Sequence, residues 1–164
     1  MESPHWLRLE RRVRFGDTDA AGVIQFHQLL RWCHEAYEES LERFGISAAE
    51  IFPRPQWAMD QPPGQPATRD TTGAPPSIAL PIVHCSADYR RPLVCGDCLA
   101  ISLEPRLLDP GSFEVIYLFT CDGQAAARGL TRHQAITVST RQACALPAGI
   151  STWLAASIPG DGSP

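Results

Sequence analysis

A single long amphipathic helix is predicted in this sequence, between about residues 27 and 44. Its apolar side chains recur at steps of three and four, which places them on one stripe along the helix. The stripe consists of Leu29, Cys33, Ala36, Tyr37, Leu41 and Phe44. Gly45 follows as a stop signal. A helix with one apolar stripe must bury it against another element, so the rest of the chain has to supply a covering surface.

The rest of the chain is predicted to supply five strands. Residues 6–15 form an imperfect apolar pattern that is typical of an edge strand. Four further strand-like runs follow, separated by Gly-Asp, Asp-Pro-Gly and Asp-Gly turns, and such turns are typical of hairpins. The runs are 78–89, 99–108, 113–121 and 124–140. We therefore expect these four to form an antiparallel meander and the fold class to be α+β, with the sheet wrapped around the one helix.

The chain has the length of one ordinary domain, which we place at residues 1–142, followed by a C-terminal tail at 143–164. Seven of its 15 prolines fall between positions 53 and 76. We interpret 53–77 as a long irregular loop inserted in the domain, because this composition cannot pack a core. Trp57 and Met59 are the residues of this loop that are expected to dock on something.

Composition excludes several classes of protein. A net charge of −4 argues against a nucleic-acid binder, which usually carries a basic stripe. The sequence has no run of about 18 apolar residues, and its N-terminus lacks the basic and then apolar pattern of a signal peptide. We therefore expect a cytoplasmic protein that does not enter a membrane. In that compartment the six cysteines are expected to be reduced thiols.

A loop with two carboxylates leads into the helix. Residues 14–26 read RFGDTDAAGVIQF, so Asp17 and Asp19 lie on a glycine-bounded loop just before the helix begins. A helix start offers unpaired N–H groups and the positive end of a dipole. A carboxylate beside it can act as base or nucleophile while the N–H groups hold a developing oxyanion. The pattern therefore indicates a hydrolytic site for a carbonyl substrate, although Asp19 taken alone has the alternative role of a helix cap.

Other patterns favour structural roles. Asp17 is expected to turn the loop or to accept a neighbouring N–H. Cys95-Gly96-Asp97-Cys98 has the spacing of half a zinc site, but without a second pair a tight turn is favoured. His84 is interpreted as a core histidine, with a position facing the pocket as the alternative. The sequence has no nucleophile elbow and no glycine-rich phosphate loop.

Four segments carry a family resemblance. They are residues 15–23 (FGDTDAAGV), 31–32 (RW), 80–84 (LPIVH) and 92–99 (PLVCGDCL). In this order they resemble the 4-hydroxybenzoyl-CoA thioesterase family of the hotdog superfamily, over roughly residues 8 to 140. The resemblance implies the hotdog fold, in which a five-stranded antiparallel sheet wraps around one long central helix.

Three shorter strings narrow the resemblance. Residues 17–23, 33–38 and 80–84 resemble the cyanobacterial 1,4-dihydroxy-2-naphthoyl-CoA thioesterases. That likeness implies hydrolysis of an aromatic acyl-CoA to CoA and 1,4-dihydroxy-2-naphthoate, which is used in phylloquinone synthesis. It implies no cofactor and no metal. A homodimer or homotetramer with the pocket at a subunit interface is expected.

The resemblance also assigns roles to four residues. The catalytic aspartate of the family corresponds to Asp19, as nucleophile or as general base. The backbone N–H that polarises the thioester oxygen corresponds to Phe26, and Gly22 lets the backbone approach the substrate closely. His34 stands where hydroxybenzoyl enzymes carry a carboxylate for the substrate hydroxyl. It is expected to bind a naphthoate hydroxyl, with a partly exposed or interface histidine as the alternative.

Binding of the CoA phosphates is left open by the sequence. The family's basic cluster has no match near residues 109–111. Five arginines remain as phosphate partners: Arg90, Arg91, Arg106, Arg128 and Arg132.

Two other functions stay open at this point. The first is a thioesterase for fatty or phenylacetyl-type acyl-CoA. The second is a hotdog module that binds an acyl ligand or a protein without catalysis, which retention of Asp19 and Gly22 argues against.

Overall fold

Seven strands and three α-helices make up the computed structural model, which describes residues 3–52 and 77–158. The strands are β1 (Arg8–Arg12), β2 (Ile78–Ala79), β3 (Ile82–Tyr89), β4 (Cys98–Asp109), β5 (Ser112–Cys121), β6 (Gln124–Gln134) and β7 (Ile136–Thr137). Five of them form one antiparallel sheet in the spatial order β1-β4-β5-β6-β3, and β2 pairs with β7 in a separate small sheet. The edge position predicted for the first strand is confirmed.

The predicted meander is correct for β4, β5 and β6 but wrong for β3. That strand pairs with β6 at the far edge of the sheet instead of lying beside β4. The connection from β3 to β4 spans residues 90–97, whereas tight turns join β4 to β5 and β5 to β6. An extended segment of this length reaches roughly 26 Å. Strands three places apart are separated by only about 14 Å, so the connection can cross the sheet.

The long helix α1 (Gln28–Phe44) agrees with the sequence prediction to within one residue. It ends because Gly45 adopts the left-handed conformation, with φ at 107°, and turns its N–H back to the carbonyls of Leu41 and Glu42. Of the six stripe residues, five are buried and Phe44 is half-buried. The apolar stripe therefore faces the core as predicted.

The sheet curves around α1. Alternate side chains of β5 are buried on the face towards the helix, and they are Phe113, Val115, Tyr117, Phe119 and Cys121. The helix lies so close to β6 that a Cβ at Gly129 would overlap the Cys33 sulfur. A sheet wrapped around a central helix is the architecture that the sequence predicts, and the chain is an α+β protein with the hotdog fold.

A C-terminal helix was not predicted from the sequence. After the short α2 (Ala48–Ile51), the third helix is α3 (Ala148–Ser157), which packs beside α1. The buried Trp153 indole donates a hydrogen bond to the Ser40 hydroxyl of α1 at 3.1 Å. The Trp6 indole donates to the Ser157 hydroxyl at 3.0 Å. Residues of the tail thus complete the core.

The run 78–89 is broken into two strands at Leu80 and Pro81. Pro81 cannot donate a ladder hydrogen bond, which explains the break. Of the loop predicted at 53–77, all but Ser77 lies outside the described residues, and so do Trp57 and Met59. Within the described ranges, the helices are too short or too polar to cross a membrane.

Candidate active site

The loop with two carboxylates is folded by its own side chains. Asp17 accepts a hydrogen bond from the Arg14 backbone N–H at 2.7 Å, and the Thr18 hydroxyl donates to the Phe15 carbonyl at 2.7 Å. The Asp17 carbonyl in turn accepts from the Gln25 N–H at 2.9 Å. The structural role predicted for Asp17 is confirmed.

Asp19 lies at the tip of this loop and is exposed. One of its carboxylate oxygens accepts the Ala21 N–H at 2.8 Å, which closes a local turn. Its carbonyl accepts the Gly22 N–H at 3.0 Å. Gly22 has φ at 80°, a left-handed conformation in which a side chain would be strained. The second carboxylate oxygen of Asp19 has no protein partner in the described part of the chain, and it is free to meet a substrate or a water.

Asp19 is not the cap of α1. The N-cap residue is His27, eight positions later. At the start of the helix, the N–H groups of Phe26 and His27 donate to no acceptor within the described residues. These N–H groups lie at the positive end of the α1 dipole, where negative charge is stabilised.

Asp19 and Phe26 line one cavity of about 490 Å³. It lies between the loop, the start of α1 and the segment that follows β3. The lining residues are Asp19, Val23, Ile24, Phe26, Tyr89, Arg90, Arg91, Pro92 and Leu93. A carboxylate and a helix start therefore meet at a cavity with an apolar wall. Gly22 shapes the loop but is not one of the lining residues.

His34 lies apart from this cavity. It is half-buried on α1, two turns beyond the helix start, and its Nδ1 is 2.7 Å from the Glu38 carboxylate. Its ring lies near those of Tyr37 and Phe52, with centroids 6.1 and 6.3 Å away. Within one protomer, His34 therefore does not meet the cavity that Asp19 lines.

The five candidate arginines fall into three groups. Arg90 and Arg91 line the cavity, and Arg91 also donates to the Gln124 side chain at 3.3 Å. Arg106 and Arg132 instead pair with glutamates on the outer face of the sheet, at 3.8 and 3.1 Å. Arg128 lies on β6 in register with Asp88 of β3. Only the first group is placed where a ligand in the cavity would meet it.

Tyr89 was missed by sequence reasoning. Its side chain lines the cavity, and its hydroxyl donates a hydrogen bond to the Phe26 carbonyl. Burial raises the pKa of Tyr89, and the Cys33 thiol adds to this effect. The sequence carries no local signal for this contact, because it joins residues 63 positions apart.

The core histidine is His133, and the prediction for His84 is wrong. His84 is exposed on the edge strand β3, where no further strand covers it. His133 is 1% exposed and stacks on Phe113, with the rings 2° from parallel. Its Nε2 lies 3.0 Å from the Thr131 hydroxyl and its Nδ1 lies 3.4 Å from the Leu80 carbonyl.

The pair Cys95 and Cys98 flanks a turn, as predicted. Gly96 has φ at 100°, and the Asp97 carboxylate accepts the Val94 N–H at 3.0 Å. All six cysteines lie in the described residues and are free thiols.

Comparison with known proteins identifies the family to which a chain with this site is similar. The model of the thioesterase-like superfamily matches residues 13–154, a span that includes the loop, α1, the main sheet from β3 onwards and most of α3. A 1,4-dihydroxy-2-naphthoyl-CoA hydrolase of Prochlorococcus marinus strain MIT 9303 is 54% identical over 157 residues. The alignment covers 96% of this chain and 95% of that protein.

Solved structures agree with these matches. A protein of Prochlorococcus marinus strain MIT 9313 has 50% identity and a TM-score of 0.82, over 96% of this chain and 99% of its own. A 1,4-dihydroxy-2-naphthoyl-CoA thioesterase from Synechocystis has 30% identity and a TM-score of 0.73, over 91% of this chain and 95% of its own.

Proposed function

This chain belongs to the thioesterase-like superfamily, and from that premise we propose that it hydrolyses 1,4-dihydroxy-2-naphthoyl-CoA to 1,4-dihydroxy-2-naphthoate and CoA. The single observation that carries the proposal is the cavity in which Asp19 and the start of α1 meet. The relative with 54% identity is named for this reaction. The naphthoate product is the one used in phylloquinone synthesis, and six free cysteines fit a reducing compartment such as the cytoplasm.

Asp19 supplies the carboxylate for the chemical step. As general base, it takes a proton from a water whose oxygen attacks the thioester carbon. As nucleophile, it attacks that carbon itself and water then cleaves the acyl-enzyme. In both routes the C–S bond breaks as the tetrahedral intermediate collapses, and the CoA sulfur leaves as a thiolate that takes up a proton. The exposed, loop-borne position of the carboxylate is compatible with either route.

The start of α1 supplies the oxyanion site. Charge builds on the thioester oxygen when the carbon becomes tetrahedral, and preorganised N–H donors stabilise it. The Phe26 N–H has no acceptor within the described residues, and Phe26 lines the cavity. Because a main-chain group donates, the side chain at position 26 is not restricted. Gly22 keeps the loop beside it in its tight turn.

Arg90 and Arg91 are assigned to the CoA phosphates. They lie at the same cavity as Asp19 and carry no carboxylate partner in the described ranges. Guanidinium groups bind phosphate through several donors at once. Replacing either arginine by alanine is expected to raise KM for the CoA thioester and to leave KM for the corresponding pantetheine thioester unchanged.

A homodimer is proposed through the edge strand β3. This edge exposes apolar side chains, with Ile82 39% and Val83 58% exposed. The opposite edge strand, β1, carries the exposed charged residues Arg8, Glu10 and Arg12, and charges on an edge strand discourage pairing with another chain. Two copies of β3 can pair antiparallel about a two-fold axis, which is the symmetry of most homodimers.

Such pairing would bring His34 of one copy towards the cavity of the other. Within a protomer, the start of α1 lies at the Tyr89 end of β3. The middle of α1, at Tyr37, contacts His133, which pairs with Ile82 at the other end of β3. In an antiparallel pair, the Tyr89 end of one β3 strand lies beside the Ile82 end of the other. We assign His34, held by Glu38, to a hydroxyl of the naphthoyl group bound by the second copy.

The proposed function is tested with Asp19→Asn. Loss of the carboxylate is expected to lower kcat by at least ~100-fold while the variant still folds. Asp122→Asn is the matched control, because Asp122 is an exposed aspartate in a turn outside the cavity, and its activity should stay at the wild-type level. CoA release should be followed by chromatography, since three exposed cysteines react with thiol reagents.

The substrate is tested with a panel of thioesters. The wild-type protein is expected to cleave the naphthoyl thioester with a higher kcat/KM than palmitoyl-CoA or phenylacetyl-CoA. A preference for either of the latter would overturn the assigned acyl group. Tight acyl-CoA binding without CoA release would make the chain a binding module, and normal turnover by Asp19→Asn would remove the proposed catalytic residue.

A further inference from the structure

Tyr89 links the edge of the sheet to the start of the central helix. It is the last residue of β3, and its hydroxyl donates a hydrogen bond to the Phe26 carbonyl. The ring is 46% exposed and lines the same cavity as Asp19. The contact therefore lies at the proposed reaction centre and is not part of the buried core.

The Phe26 carbonyl is not held by the helix itself. In the described part of the chain no backbone N–H donates to it. The neighbouring carbonyls do have backbone partners, because the Gln25 carbonyl accepts the Gln28 N–H at 2.9 Å and the His27 carbonyl accepts the Arg31 N–H at 3.1 Å. The peptide unit between Phe26 and His27 is thus held by a side chain from another element, the Tyr89 hydroxyl of β3.

Holding this carbonyl also fixes the adjacent donors. The Phe26 carbonyl and the His27 N–H belong to one planar peptide unit and point in opposite directions. A hydrogen bond to the oxygen therefore sets the direction of that N–H. It also limits rotation about the backbone bonds of Phe26, and so constrains the Phe26 N–H. An oxyanion site is effective only when its donors are oriented before the charge develops.

We propose that Tyr89 is a positioning residue for the oxyanion site, and that its hydroxyl holds the Phe26 carbonyl so that the Phe26 N–H faces the thioester oxygen. This role rests on the proposed thioester hydrolysis. The hydroxyl is protonated near neutral pH, as tyrosine hydroxyls ordinarily are, and burial raises the pKa of Tyr89 further. That proton is engaged with the Phe26 carbonyl, so Tyr89 acts through the backbone and not on the leaving group.

The test is Tyr89→Phe, which keeps the ring and removes only the hydroxyl. A small misorientation of reacting groups costs up to about 100-fold in rate, so we expect kcat to fall by about 10- to 100-fold. KM, the affinity for the naphthoate product and the shape of the pH–rate profile should be unchanged. Hydrogen exchange of a peptide covering residues 23–31 should be faster than in the wild-type protein.

Tyr37→Phe is the matched control. It removes a tyrosine hydroxyl that is buried and has no hydrogen-bond partner within the described residues, so kcat should stay at the wild-type value. The assays use whichever thioester of the panel the wild-type protein cleaves fastest. Failure of the wild-type protein to cleave any thioester would overturn the proposed function and this role with it.

Three results with an active wild-type protein would overturn the role of Tyr89 alone. Unchanged kcat in Tyr89→Phe would show that the hydroxyl does not position the donors. A raised KM with unchanged kcat would make Tyr89 a substrate-binding residue. A displaced pH–rate profile would indicate that the hydroxyl transfers a proton.

Discussion

His133 and His84 illustrate how packing, not residue type, decides what a side chain does. Both lie on adjacent strands of the main sheet, yet His133 is buried and His84 is exposed. In the buried ring, Nδ1 faces the Leu80 carbonyl and Nε2 faces the Thr131 hydroxyl. A neutral ring satisfies both contacts, with Nδ1–H donating and Nε2 accepting. Burial lowers the pKa of His133 to about 4, with a smaller contribution from His34.

Stability should therefore depend on pH through His133. Its pKa is about 4 in the folded protein and about 6.5 in the unfolded chain. Between these values the unfolded chain binds more protons, so the free energy of unfolding falls as the pH falls from 6.5 to 4. The loss amounts to roughly 3 kcal/mol, and the contribution is fully present above pH 6.5. Urea unfolding at several pH values in this window measures it.

His133→Gln isolates that contribution from the titration of carboxylates in the same range. The variant should lose less stability than the wild-type protein between pH 6.5 and 4. His5→Gln is the control, because His5 is exposed and its replacement should leave the wild-type slope unchanged. Parallel curves for the wild-type protein and His133→Gln would contradict the prediction.

At the scale of secondary-structure elements, the sequence predicted those helix features that depend on residues close together in the chain. The period of α1 is repeated over 17 residues and ends at a glycine, so both its length and its buried face could be predicted. The tail was harder, because proline, glycine and serine surround α3. Its buried residues Ile150, Trp153, Leu154 and Ser157 nevertheless have helical spacing. That spacing was the signal that could have revealed the helix.

The candidate site likewise contains residues that a local motif could predict and residues that only the strand order brings together. Asp19 and Phe26 lie seven positions apart on one loop, so their proximity could be predicted from a local motif. Tyr89, Arg90 and Arg91 reach the cavity because β3 lies at the edge beyond β6. The sequence predicted a meander in which β3 lay beside β4, and this error hid the second wall of the cavity.

α3 should contribute substantially to stability although it lies outside the predicted domain core. Trp153 is fully buried, contacts Tyr37 and Phe113, and donates to Ser40. Trp153→Ala would leave a large cavity and an unpaired buried hydroxyl. We expect the free energy of unfolding to fall by about 3–5 kcal/mol, as measured by urea unfolding at pH 7.

The control for this prediction is Ser151→Ala on the exposed face of the same helix, which should change stability by less than about 0.5 kcal/mol. A similarly small effect of Trp153→Ala would mean that α3 is not docked on α1 in solution.

At the scale of the whole molecule, one protomer offers half of the proposed site. Asp19 and the helix start lie at one end of the β3 edge, and His34 lies towards the other. In a dimer with two-fold symmetry, each cavity would combine Asp19 of one copy with His34 of the other. This arrangement makes a prediction about mixed dimers that a monomeric enzyme could not satisfy.

Two impaired variants, Asp19→Asn and His34→Ala, should restore activity when mixed under conditions of subunit exchange. Half of the dimers are then hybrids. Each hybrid has one cavity with both native residues and one with neither. Activity should rise from that of the separate variants towards about a quarter of the wild-type value. The control carries both substitutions in one chain and is mixed with an equal amount of wild-type protein. Every hybrid cavity then lacks one residue, so subunit exchange should lower the activity of this mixture from about half to about a quarter of the wild-type value. Activities of both mixtures that do not change on exchange would place Asp19 and His34 in the same protomer's site, and full activity of His34→Ala alone would remove His34 from the site.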